Sequence, residues 1–176
     1  RIPPKGLEAS ERAGLITSLG QAQFDHPEAY ACLSDVLAGR LDAFDDPGRL
    51  RTAAFGALGS LGTPAAVEAL VEAPLRRPHI DRDGADLISA LARLESADSV
   101  RALASVFERR KTPDPGRSLL IVEVLAGLRR PESVQGLLAL YTDRGEPAAL
   151  RGEAAIALGS VGDDRAFGPV RDGLGD

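Results

Sequence analysis

Apolar residues return along this chain in a block that recurs five times, each block centred on a leucine: Leu19, Leu58, Leu91, Leu125 and Leu158. The steps between them are 39, 33, 34 and 33 residues. Four and three residues before each leucine stand the pairs Leu15/Ile16, Ala54/Phe55, Leu87/Ile88, Ile121/Val122 and Ala154/Ala155. Three residues after it come Ala22, Leu61, Leu94, Leu128 and Val161. Apolar positions at i, i+1, i+4 and i+7 fall on one face of an α-helix, so each block predicts an amphipathic helix. A second apolar set opens nine residues past the leucine with Val67, Val100, Val134 and Phe167, and continues with Leu70, Leu103, Leu137 and Val170. Tyr30 and Leu33 join that register if the first turn is two residues longer. The pattern is helix, turn, helix, five times over, without the period-2 alternation of a strand. Such a period is the signature of a repeat architecture, in which stacked units share a core.

Local signals mark where these helices begin and end. Pro27, Pro64 and Pro131 suit the first position of a second helix, where the missing N–H would lack a partner anyway. Thr63, Ser96 and Asp163 stand just before second helices, where a side-chain oxygen can accept from free backbone N–H groups; His26 and Arg130 hold that place in the other copies. Ser10 is expected to cap the first helix. Gly59-x-x-Gly62 and Gly159-x-x-Gly162 read as helix-ending glycines, which tolerate left-handed backbone. The basic run Arg109-Arg110-Lys111 is expected to close the second helix of copy three against its dipole. Links rich in Asp, Pro and Gly precede the first helices at 46–48, 114–116 and 146–147. The expectation is an all-α chain: an extended lead-in over 1–9, then a single domain over 10–176 with repeats at about 10–39, 47–74, 82–110, 115–142 and 147–175.

Composition narrows the picture. Aromatic residues are 4% of the chain and Met and Trp are absent, which suits closely packed helices with small contact residues. The formal charge of −5 argues against a nucleic-acid surface. No apolar run approaches the ~20 residues of a membrane helix, and no signal-peptide pattern opens the chain, so no membrane insertion and a cytoplasmic setting are expected. A chain that starts at Arg1 reads as a fragment or a processed product, which weakens that last point. One cysteine excludes an internal disulfide framework. Nineteen Arg against two Lys, with abundant Ala and Gly, points to a GC-rich bacterial genome.

One polar column stands out. Arg12, Arg51 and Arg151 each lie seven residues before the anchoring leucine, with Gly84 and Ser118 at that place in the other copies. A cation near a helix start is poorly placed against the dipole, so each is expected to be satisfied by a carboxylate or carbonyl of an adjacent turn. Asp25, Asp98 and the Asp163-Asp164 pair are the carboxylates nearest those turns. The column is read as a structural ladder between repeats. The remaining candidate chemistry is thin. Cys32 falls in a column of small residues, Ala69, Ala102, Gly136 and Pro169, and reads as packing rather than a nucleophile. Asp45-Asp46 and Asp163-Asp164 read as capping and solvation. The glycine pairs lack the preceding strand of a phosphate-binding loop.

The segment LRTAAFGALGSLGTPAAVEALVEA at 50–73, with its weaker copy LRGEAAIALGSVGDDRAFGPVRDG at 150–173, resembles the HEAT-like repeats of the phycobilin-lyase (PBS lyase) type. The other copies match in apolar positions and length, so the resemblance covers roughly residues 10–175. It implies a right-handed α-solenoid with first helices on the convex side and second helices lining the concave side. Phycobilin lyases attach a tetrapyrrole to a client cysteine and usually act as paired subunits; here Tyr30 and Tyr141 are the main aromatic residues available for a flat chromophore. Deoxyhypusine hydroxylase, another HEAT-like enzyme, holds two irons through paired His-Glu motifs, and His26 and His79, the only histidines, are followed by Pro27 and Ile80. The HEAT-like DNA glycosylases need a basic concave groove, against the acidic balance here.

The function expected is therefore a non-enzymatic scaffold or adaptor with no cofactor and no metal, with a phycobilin-lyase-like subunit as the alternative. Its protein-binding face would comprise exposed second-helix positions: Asp35, Glu68 and Glu72 at the front, Arg101 and Ser105 in the middle, then Gln135, Tyr141 and Asp172. An acidic front suits a partner with a basic segment. Phe167, Val170 and Leu174 make a weak final helix, so a further stretch of chain or a partner subunit is expected to complete the C-terminal end.

Overall fold

The structure, a computed structural model, describes residues 8–21, 26–40, 47–74, 82–109 and 115–173. Most of the lead-in, Asp25, Asp45-Asp46, His79, Arg110-Lys111 and Leu174 lie outside the described residues. Ten α-helices follow in order: α1 (Ala9–Gln21), α2 (Pro27–Leu37), α3 (Pro47–Leu61), α4 (Pro64–Glu72), α5 (Arg82–Leu91), α6 (Ala97–Ala104), α7 (Pro115–Leu128), α8 (Val134–Thr142), α9 (Ala148–Val161) and α10 (Asp164–Asp172). A 3-10 turn, Pro131–Ser133, leads into α8. Among the described residues there is no strand, and the helices fall into five pairs.

The chain divides into two compact units, Arg1–Leu94 and Glu95–Asp176, and the division falls inside the third pair, between α5 and α6. In the first unit Leu33, Leu37, Phe55, Leu58, Leu70, Leu87 and Leu91 are fully buried; in the second, Leu103, Ile121, Leu125, Leu137 and Leu140 are. The anchoring leucines are thus core residues, except Leu19, which is half-buried.

Small residues set how closely the helices approach. A Cβ on Gly20 would lie 2.6 Å from the Cα of Ala57, and one on Gly59 would lie 2.8 Å from the Cα of Ala90. Glycine at these places lets α1 pack on α3, and α3 on α5, almost backbone to backbone. Gly59 therefore does not end a helix; it is a contact residue inside α3, and Gly159 likewise lies inside α9. The helix ends fall three residues later. Gly62 and Gly162 take positive φ of 58° and 70°. In the fourth copy the same place is held by Arg129, at φ 51°, a conformation disfavoured for a residue with a Cβ.

The caps form where the polar residues predict them. Thr63 accepts from Ala66 N at 3.2 Å, Ser96 from Ser99 N at 3.1 Å, and Asp163 from Arg165 N at 3.0 Å. His26 caps α2 as well, its Nδ1 accepting from Glu28 N at 3.3 Å. Two expectations need correction. Ser10 lies within the first turn of α1, which begins at Ala9; the reciprocal bond there is Glu8 N donating to Glu11 Oε2 at 2.9 Å. The basic run does not close α6, which ends at Ala104; tight turns follow as Phe107 tucks into the core, and Arg109 donates to Ser105 Oγ.

Candidate functional site

The arginine column is where the repeat becomes chemistry. Arg51 sits in the second turn of α3 and is 2% exposed. Its Nη2 donates to Asp83 Oδ2 at 2.6 Å and to the carbonyl of Pro74 at 2.8 Å, its Nε donates to Asp83 Oδ1 at 3.3 Å, and its Nη1 donates to the carbonyl of Leu37. The guanidinium also lies 5.9 Å from the centre of the Phe55 ring. A planar fork that bonds one carboxylate twice and spends its other donors on carbonyls satisfies a charge that burial would otherwise penalise heavily. Beside it Thr52 Oγ1 donates to Asp86 Oδ2 at 2.6 Å, a second polar tie from α3 to α5.

The carboxylate on Arg51 is Asp83, in the first turn of the next first helix, rather than a carboxylate of the turns. Asp98 pairs instead with Arg101 and Asp163 with Arg165, because each stands within three residues of an arginine on the helix it precedes or opens. The other two arginines of the column have different surroundings. Arg12 is half-buried in α1. Arg151 is half-buried in α9, with a buried Nε that has no hydrogen-bond partner among the described residues. Arg165 was not marked by any spacing, yet its Nη2 donates to the carbonyl of Pro131 at 2.9 Å, tying the start of α10 to the turn before α8.

The second-helix positions fall in both units. In the first, Asp35 on α2 pairs with Arg40 at 2.7 Å, while Glu68 and Glu72 on α4 are exposed. In the second, Arg101 and Ser105 from α6 meet Gln135 from α8 around one cavity of about 360 Å³, which Glu108, Glu132 and Arg165 also border. Tyr141 and Asp172 border another, of about 730 Å³, together with Arg144 and Arg151. Asp172 is exposed and bonded to Arg171 at 2.7 Å.

Charges in the smaller cavity are firmly held. The backbone N–H of Glu132, with help from Arg130, lowers the Glu132 carboxyl pKa. Hydrogen bonding to Asp163 raises that of the Arg165 guanidinium. Asp163 is itself pulled from 3.8 to about 2, first by the Arg165 side chain and then by the Arg165 N–H. Burial, with Asp35 nearby, pushes the Cys32 thiol up, away from the thiolate a nucleophile needs. Tyr30, half-buried, spends its hydroxyl on Thr63 Oγ1 at 2.7 Å. Among the described residues no group of three or more His, Cys, Asp or Glu could hold a metal ion, and no helix is long and apolar enough to cross a membrane.

Residues 50–73 match the family model of the PBS lyase HEAT-like repeat. This is the segment from Leu50 to Ala73 that carries Arg51, Gly59 and the Thr63 cap. No curated protein matches the chain.

Proposed function

We propose that this chain is a non-enzymatic protein-binding module: a right-handed α-solenoid of five HEAT-like repeats that presents its second helices to a protein partner. The observation that carries this reading is the cavity of about 360 Å³ where Arg101, Ser105 and Gln135 converge from α6 and α8. Its charged border, Arg101 and Arg165 with Glu108 and Glu132, suits the side chains of a polar peptide segment. In the first unit Glu68 and Glu72 are exposed on α4, one turn apart, and their carboxylates suit a basic segment of a partner. Stacked repeats generate a long polar surface of this kind because each touches only its neighbours.

The test is a titration with the native partner at two salt concentrations. Glu68→Lys with Glu72→Lys should weaken binding and reduce its salt dependence while helicity stays intact, since exposed charges act on encounter more than on fold. Equal affinity for the reversed protein would remove this surface from the reading. A second reading, a subunit of a phycobilin-lyase-like chromophore-attaching enzyme, is favoured by the repeat type matched at residues 50–73. It requires that an open-chain tetrapyrrole bind with a shifted absorption band, and the protein-binding reading predicts no such shift.

A further inference from the structure

The cavity of about 360 Å³ between α6 and α8 lies wholly within the second unit, and its floor differs from its walls. Ala104 and Gly136 make the floor. A Cβ on Gly136 would overlap the carbonyl of Ala104, so α8 lies backbone to backbone on α6 there. The floor carries nothing larger than a methyl group, and a main chain can approach it closely.

Four charged side chains border the cavity, and three of them are already matched. Arg101 donates to Asp98, Arg165 donates to Asp163 through Nε and Nη2, both at 2.8 Å, and Glu132 accepts from Arg130 Nε at 3.4 Å. The fourth, Glu108, is exposed, and its carboxylate has no hydrogen bond or ion pair among the described residues. Gln135, exposed on α8, likewise has no partner for its side-chain amide among the described residues. With each arginine held by its own carboxylate, the charge left over in the cavity is negative. What the cavity leaves unmatched is one carboxylate and one amide. A carboxylate accepts and attracts a cation; an amide offers a donor and an acceptor side by side, which can bond the C=O and N–H of a peptide main chain. The volume sits at the low end of the roughly 300–1,000 Å³ of ligand sites, so it suits a short segment.

We propose that this cavity recognises one basic residue within an extended segment of the protein partner. Gln135 holds the main chain over Ala104 and Gly136, and Glu108 accepts from the guanidinium or ammonium group. The assignment rests on the protein-binding reading and sharpens it: the second unit selects a basic segment, as Glu68 and Glu72 do in the first.

An NMR titration of the full chain with three N-acetylated, C-amidated tripeptides, Gly-Arg-Gly, Gly-Leu-Gly and Gly-Glu-Gly, tests this. At millimolar peptide the backbone amide signals of Ala104 and Gly136 and the side-chain amide of Gln135 should move. The arginine peptide should bind about threefold to fivefold tighter than the leucine peptide, the gain of a largely exposed ion pair. Glu108→Gln should erase that preference and leave the leucine peptide's affinity as it was, while Gln135→Ala should weaken both. Neither side chain bonds within the fold, so circular dichroism should be unchanged in both variants. Signals that stay still, a stronger response to the glutamate peptide, or an arginine preference that survives Glu108→Gln overturns the proposal. The native partner separates this failure from that of the wider reading: a chain that binds its partner while the peptides leave these signals unmoved loses this site and remains a binding module.

Discussion

Helices α3 and α9 are near twins in sequence, each opening Leu-Arg and running through Ala-Leu-Gly-Ser to a left-handed glycine. Their surroundings are not alike. In α3 the arginine is 2% exposed with four hydrogen bonds and the glycine is pressed by Ala90; in α9 the arginine has a buried Nε with no partner among the described residues and the glycine faces open space. The difference teaches that the motif does not contain its own stabilisation. It prepares one half of a contact, and the energy arrives with the helix that brings Asp83 and Ala90.

The sharpest way to break the comparison is to remove both arginines in turn. Arg51→Ala leaves Asp83 buried without its cation and uncovers two carbonyls, so urea unfolding should show a loss of about 3 kcal/mol, the size expected for breaking a buried pair. Arg151→Ala should cost less than about 1 kcal/mol, since no hydrogen bond is lost. Equal losses would mean that the two sites are energetically the same.

The glycines give the next contrast. Gly59→Ala drives a Cβ to 2.8 Å from the Ala90 backbone, so α5 must shift, at roughly 1–3 kcal/mol as in other overpacked sites. Gly159→Ala meets nothing and should stabilise by up to about 1 kcal/mol, the helix preference of alanine over glycine. Thermal unfolding of both variants, with shifts of opposite sign, is the expected outcome. A smaller effect is expected at Arg129, which occupies the left-handed position that Gly62 and Gly162 fill elsewhere. Arg129→Gly should raise stability by up to about 1 kcal/mol by relieving that conformation.

Much of this was legible in the sequence. The leucine period gave five helix pairs, and the residues at Thr63, Ser96 and Asp163 announced their caps, because caps are local events between a side chain and backbone N–H groups two or three residues on. The arginine column was visible as a column, but its partner was not. Asp83 lies 32 residues from Arg51, and only the packing of α5 on α3 shows that it, rather than a turn carboxylate, reaches the guanidinium. Arg165 escaped notice for the same reason, its acceptor on Pro131 lying 34 residues away. Gly59 and Gly62 looked equivalent from sequence; one is required by a neighbouring helix and the other by its own φ.

The smallest effect expected is a pH dependence. The Asp163 carboxyl is lowered from 3.8 to about 2 by Arg165 and its backbone N–H. A folded-state value below the unfolded one stabilises above the unfolded value and is lost as pH falls, so this contribution should fade between about pH 4 and pH 2. Asp163→Asn keeps a capping oxygen but does not titrate, and its stability-against-pH curve should be flatter over that window.

The central claim is that Arg51 and Asp83 act as one tie between successive first helices. A double-mutant cycle of Arg51→Ala, Asp83→Ala and the double variant, followed by urea unfolding, measures that tie directly. The double variant should lose clearly less than the sum of the single losses, with a coupling of about 2 kcal/mol, inside the range for contacting residues. Losses that add to within about 0.5 kcal/mol, as for independent sites, would contradict it.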